Sequence, residues 1–87
     1  EFAYINIIDN AGGISSDIIN SIFEAYFTTK THRKASGLGL FISKIIVEEN
    51  MQGKLEFENT NDGAKFIIKI PIFEENKWVK IKTFFIT

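Results

Sequence analysis

Apolar and polar positions divide the 87 residues into segments of different period. Residues 2–8 are rich in aromatic and β-branched types and predict a strand. Both of its faces are largely apolar, which predicts a central strand rather than an edge. Asp9-Asn10-Ala11-Gly12-Gly13 breaks the run. Ser15 or Ser16 suits a helix cap, Asp17 suits the positive end of the helix dipole, and Ile18, Ile19, Ile22 and Phe23 share one helical face. A short helix is therefore expected there. Residues 28–36 form a polar, basic connector. Gly37-Leu38-Gly39-Leu40 then opens a second predicted helix that runs to about Met51. Leu38, Phe41, Ile42, Ile45 and Ile46 are its expected core stripe, with Lys44, Glu48 and Glu49 outside. Gly53 is well placed to end it.

Residues 54–59 and 65–72 predict a β-hairpin, because Asn61-Asp62-Gly63 between them is a strong turn signal and Pro71 closes the second arm. Residues 78–86 read as one more strand, with Val79, Ile81 and Phe85 alternating with Lys80 and Lys82. The simplest architecture is α+β: a two-layer sandwich of two helices on a mixed, mostly antiparallel sheet. Residues 1–72 form one unit, and residues 73–87 are a C-terminal extension that adds a strand.

Composition narrows the function. A 45% hydrophobic, 24% charged chain is ordinary globular material, and one of this length has a marginal core. The net charge of −1 supplies no bulk field for nucleic acid or an anionic membrane. With no cysteine there is no disulfide framework, and a reducing, cytoplasmic setting fits. No apolar run approaches the length of a membrane span. The chain opens in mid-strand without Met, as a piece of a longer protein would.

Three clusters suggest chemistry. Asp9 stands where a strand meets a glycine-rich turn; it either organises that turn or accepts a hydrogen bond from a ligand amine. Gly37-Leu38-Gly39 precedes a helix; it serves as a tight turn or offers free N–H groups to phosphate. Lys30, His32, Arg33 and Lys34 make either a solvated loop or a phosphate-facing cluster. His32 has no second ligand at metal spacing. The serines have no His partner nearby, and no P-loop is present.

Taken together, these segments resemble the C-terminal part of the ATP-binding domain of bacterial sensor histidine kinases, within the superfamily of heat-shock chaperones, DNA gyrase and mismatch-repair ATPases. Asp9-Asn10-Ala11-Gly12-Gly13-Ile14 resembles the first glycine box, D-x-G-x-G. Ile22-Phe23-Glu24-Ala25-Tyr26-Phe27-Thr28-Thr29-Lys30 resembles the phenylalanine box, and Ser36-Gly37-Leu38-Gly39-Leu40 the second glycine box. Gly53-Lys54-Leu55 and Asp62-Gly63-Ala64-Lys65-Phe66 resemble the closing hairpin. The likeness runs from about residue 2 to residue 72.

The resemblance implies roles. Asp9 would accept a hydrogen bond from the adenine amine, and Gly13 would let backbone approach the base. Phe27 would anchor a mobile lid over residues 28–36. Lys30 and Arg33 would lie near the phosphates, Gly37 and Gly39 would hinge the lid, and amides around Leu38 and Leu40 would reach phosphate. Ala11, Ala35 and Ala64 depart from the boxes, where Gly, Gly and often Thr stand. The family's Mg²⁺-binding Asn and its phosphorylatable His belong to segments upstream of Phe2. The parent would be a protein-histidine kinase of a two-component system, taking phosphate from ATP onto its own His and passing it to a response regulator. The His sits in a dimerisation and phosphotransfer domain, and the parent is cytoplasmic or anchored in the inner membrane. The 87 residues alone are expected to be inactive. The alternative is a degenerate nucleotide-binding or docking module without kinase activity. An exposed sheet edge would allow self-association, with the segment from Trp78 to Ile86 covering part of it.

Overall fold

The computed structural model describes residues 1–28, 37–72 and 81–86. Four strands form one sheet: β1 (Phe2–Asp9), β2 (Lys54–Asn59), β3 (Ala64–Pro71) and β4 (Ile81–Ile86), in the order β2-β3-β1-β4. β3 pairs antiparallel with both β1 and β2, while β4 pairs parallel with β1. The sheet is mixed and mostly antiparallel, and β1 lies inside it.

Register aligns the apolar positions in rows. Leu55, Ile68 and Ile5 form one row, and Phe57, Phe66 and Ile7 the next. Phe66 is the centre of an aromatic group. Phe57 lies 5.1 Å from it and Phe23 meets it edge-on at 6.4 Å. Phe23 thereby fastens the segment after β1 to the sheet. Ile22, Val47, Leu55 and Ala64 are the buried core among the described residues. That is a thin core, as expected for this length.

The helical layer differs from expectation in two ways. Residues 15–27 do not make an α-helix. Successive turns close from Ser15 to Ile18, Ile18 to Ser21, Ser21 to Glu24 and Glu24 to Phe27, with N···O distances of 2.8–3.3 Å. Serine, asparagine, aspartate and β-branched isoleucine dominate the stretch. These types offer the backbone local alternatives or resist the helical rotamer. The α+β class holds with one regular helix, α1 (Gly39–Ile45), continued by a π-helical segment (Ile46–Asn50).

The helix also buries a different side. Ile42, Ile45 and Ile46 are 47%, 41% and 45% exposed, whereas Lys44 and Glu48 are partly covered. Val47 is buried and Phe41 half-buried, while the side carrying Ile42, Ile45 and Ile46 faces out. Lys44 extends over the Phe23 ring at 4.7 Å and reaches Glu48 at 3.4 Å. Glu48 Oε2 accepts a hydrogen bond from the Leu55 amide at 3.1 Å. That bond, more than Lys44, holds the Glu48 carboxyl below its ordinary value, against the opposing effect of burial. The π segment and β2 are thus tied at their junction.

Candidate functional site

The carboxyl end of β1 is where hydrogen bonds from three parts of the chain converge. Asp9 Oδ1 accepts from the Ala11 amide at 3.0 Å and from the Ala64 amide at 3.1 Å. The first bond organises the turn; the second ties it to the start of β3. Both fall on the same oxygen, Oδ1. These bonds fit the reading in which Asp9 organises its own turn.

The glycine-rich loop is clasped from the hairpin. Gly12 donates its amide to the Asp62 carbonyl at 2.9 Å. Asn59 grips Ile14 twice: Oδ1 accepts from the Ile14 amide at 2.8 Å, and Nδ2 donates to the Ile14 carbonyl at 2.9 Å. Gly12 and Gly13 have φ of +95° and +83°. For Gly13 space matters as well, because a Cβ would sit 2.6 Å from Asn59 Oδ1. The hairpin turn is stiffened in its own right. Gly63 donates to Thr60 Oγ1 at 3.0 Å, and Thr60 donates to the Gly63 carbonyl at 2.9 Å. A Cβ on Gly63 would fall 2.0 Å from the Asp9 carbonyl oxygen. Glycine at 63 is what allows the hairpin to touch the back of Asp9.

Asn59, Thr60 and Gly63 are site-building residues that the sequence reading missed. The Asn61-Asp62-Gly63 turn signal was visible, but a turn signal carries no information about what lies behind the turn. A hollow of about 420 Å³ wraps this end of the sheet, lined by Ile8, Asp9, Asn10, Thr60, Asn61, Asp62 and Phe85. Its polar lining is rich in acceptors and carries two carboxylates. Such a surface suits an amine and repels phosphate.

The second cluster forms the base of the connector. Gly37 has φ of +70°, and a Cβ there would meet the Tyr26 and Phe27 backbone at 2.5–2.7 Å. The two ends of the connector therefore meet at Phe27 and Gly37. Phe27 is half-buried and donates its amide to the Glu24 carbonyl. Leu38 caps α1 without a side-chain bond, and its carbonyl accepts from Ile42 at 2.9 Å. Leu38 and Leu40 are half-buried. Gly39 begins α1, and among the described residues nothing lies within 4 Å of a Cβ there. Within those residues, close neighbours dictate glycine at 37 and not at 39. Lys30, His32 and Arg33 lie outside the described residues. Among the described residues, no group of three or more His, Asp or Glu side chains is placed to hold a metal ion. No helix among them is long and apolar enough to cross a membrane.

Known proteins resemble this chain in sequence and in fold. Residues 1–74 match the family described as histidine kinase-, DNA gyrase B- and HSP90-like ATPase. The chain is 41% identical over 68 residues to the two-component sensor PprA of Pseudomonas aeruginosa, which covers 78% of this chain and 7% of that protein. It is 44% identical over 70 residues to the sensor protein KdpD of Clostridium acetobutylicum, covering 75% of this chain and 8% of the relative. The chain therefore spans only a small part of these relatives. Among solved structures, the catalytic domain of histidine kinase ThkA superposes with a TM-score of 0.56 at 37% identity, covering 78% of this chain and 38% of that one.

Proposed function

This chain belongs to the histidine kinase-, DNA gyrase B- and HSP90-like ATPase family, and on that premise we propose that it is the base-binding and lid-bearing part of the ATP site of a two-component sensor histidine kinase. The observation that carries this reading is Asp9. Its Oδ1 is fixed by two amides, and the residue stands at the end of β1, just before the positive-φ Gly12 and Gly13. A carboxylate held this way needs no rearrangement to accept a hydrogen bond from the adenine amine. Gly13 keeps the loop free of a Cβ where the base would approach.

Phosphates then belong at the other cluster, away from Asp9 and Asp62. Lys30 and Arg33 neutralise their charge, and Gly37, Leu38, Gly39 and Leu40 form the approach of the lid to the helix start. Phe27, packed where the connector's two ends meet, is the pivot. In the parent protein the γ-phosphoryl group passes from ATP to a His of the dimerisation and phosphotransfer domain, and from there to a response regulator. Mg²⁺ serves this transfer in the parent. Among the described residues no group of three or more His, Asp or Glu side chains is placed to hold it. Residues 1–72 act as the nucleotide-binding unit. The parent works in the cytoplasm, free or anchored in the inner membrane.

The test has two parts. Calorimetry of the full-length parent with ATP should give sub-millimolar binding; no binding would favour a docking module instead. The 87-residue chain, mixed with ATP and a separate His-bearing domain, should transfer no labelled phosphate. Transfer by the chain alone would contradict the assigned division of labour.

A further inference from the structure

The sheet has two unlike edges. β2 is guarded: Lys54, Glu56 and Glu58 alternate along it and are all exposed. Charges along an edge discourage pairing with another strand. β4 covers the edge of β1 and so moves the open edge outward. Its own far side has no strand partner among the described residues. Lys82 is its only charged residue, and it has no proline. Ile81 and Phe85 are 66% and 73% exposed on one face, and Phe84 is 48% exposed on the other. Such a strand is a template for pairing.

We propose that β4 is a self-association edge, and that its occupant is β4 of a second copy, antiparallel about a twofold axis through Thr83. Such an axis, normal to the sheet, keeps each face on its own side, so only residues of like parity can lie opposite each other. Centring on Thr83 satisfies this. Thr83 meets Thr83, Lys82 meets Phe84, and Ile81 meets Phe85, each pair occurring twice except the central one. The pairing is complementary. β-Branched residues meet aromatics, threonine meets threonine, and no lysine faces a lysine. Lys82 already lies 5.7 Å from the centre of its own Phe84 ring, on the face where the second copy's Phe84 would arrive. The product is one continuous eight-stranded sheet with guarded β2 strands at both ends.

Cysteine cross-linking tests the register, since the chain has no cysteine of its own. Across the central pair the Cα atoms would be about 4.5–5.5 Å apart, within disulfide reach. Two copies of residue 81 would be about 13 Å apart along the strands, beyond it. Thr83→Cys should form a disulfide dimer under mild oxidation, and Ile81→Cys should not. Sedimentation of the unmodified chain should show a monomer–dimer equilibrium. Phe85→Lys should raise its dissociation constant at least about tenfold, since two cross-strand pairs are lost. A chain that stays monomeric at every concentration would overturn the proposal. So would a dimer that cross-links through Ile46→Cys rather than Thr83→Cys, because the helix face would then be the interface.

Discussion

The Asp9 end of the sheet and the outer side of the helix are built by opposite means. At the Asp9 end, amides, an asparagine side chain and a hairpin turn are matched bond for bond, and Gly63 packs against the Asp9 backbone with no room for a methyl group. On the helix, Ile42, Ile45 and Ile46 are left half in water. The core between them is thin. Among the described residues, directional contacts are concentrated at the Asp9 end of the sheet. Apolar contacts, which need no precise geometry, are left incomplete elsewhere.

Substitutions at the two regions should therefore differ sharply. The largest effect is expected at Gly63→Ala. Its methyl group would overlap the Asp9 carbonyl, so stability should fall by about 3 kcal/mol and nucleotide binding should go with it. Urea unfolding of the variant measures this. Asn59→Ala removes both bonds to Ile14 from an exposed position and should cost about 1–2 kcal/mol. It should also weaken nucleotide binding, because the loop that carries Gly13 loses its clasp.

Glu48→Gln is next, at about 1 kcal/mol near neutral pH. The sign with pH follows from its lowered carboxyl. A carboxylate held below its ordinary value of 4.5 stabilises the fold above that value, and the benefit is lost as pH falls through the folded value. Wild type and variant should therefore differ at pH 7 and converge in acid, which thermal unfolding across pH would reveal. The smallest effect is expected at Ile45→Glu, within about 0.5 kcal/mol, because the side chain is already substantially exposed. A loss as large as that of Gly63→Ala would erase the contrast between the two regions.

Much of this was legible in the residues. Two apolar faces marked β1 as central, and Asn61-Asp62-Gly63 marked the hairpin. Alternation around Lys80 and Lys82 marked the last strand, of which Ile81–Ile86 is described. Asp9 stood out because a carboxylate at a strand end before glycines is a distinctive arrangement. Other features were hidden for physical reasons. The turns of residues 15–27 and a short helix share apolar spacings of three, so periodicity alone does not separate them. The buried side of α1 depends on what packs against it, and a helix apolar over a wide arc does not declare that side. The clasp by Asn59 and Gly63 joins positions about 45–55 residues apart from the loop they hold, a distance that local patterns do not span.

Asp9 is proposed to accept a hydrogen bond from the adenine amine. The direct measurement compares ATP with inosine triphosphate, which lacks that amine, on the full-length protein and on its Asp9→Asn variant. Wild type should prefer ATP by about ten- to a hundredfold, the worth of one hydrogen bond to a charged group, and the variant should lose most of that preference. Equal affinity of wild type for the two nucleotides, or a preference that survives in the variant, would contradict the role given to Asp9.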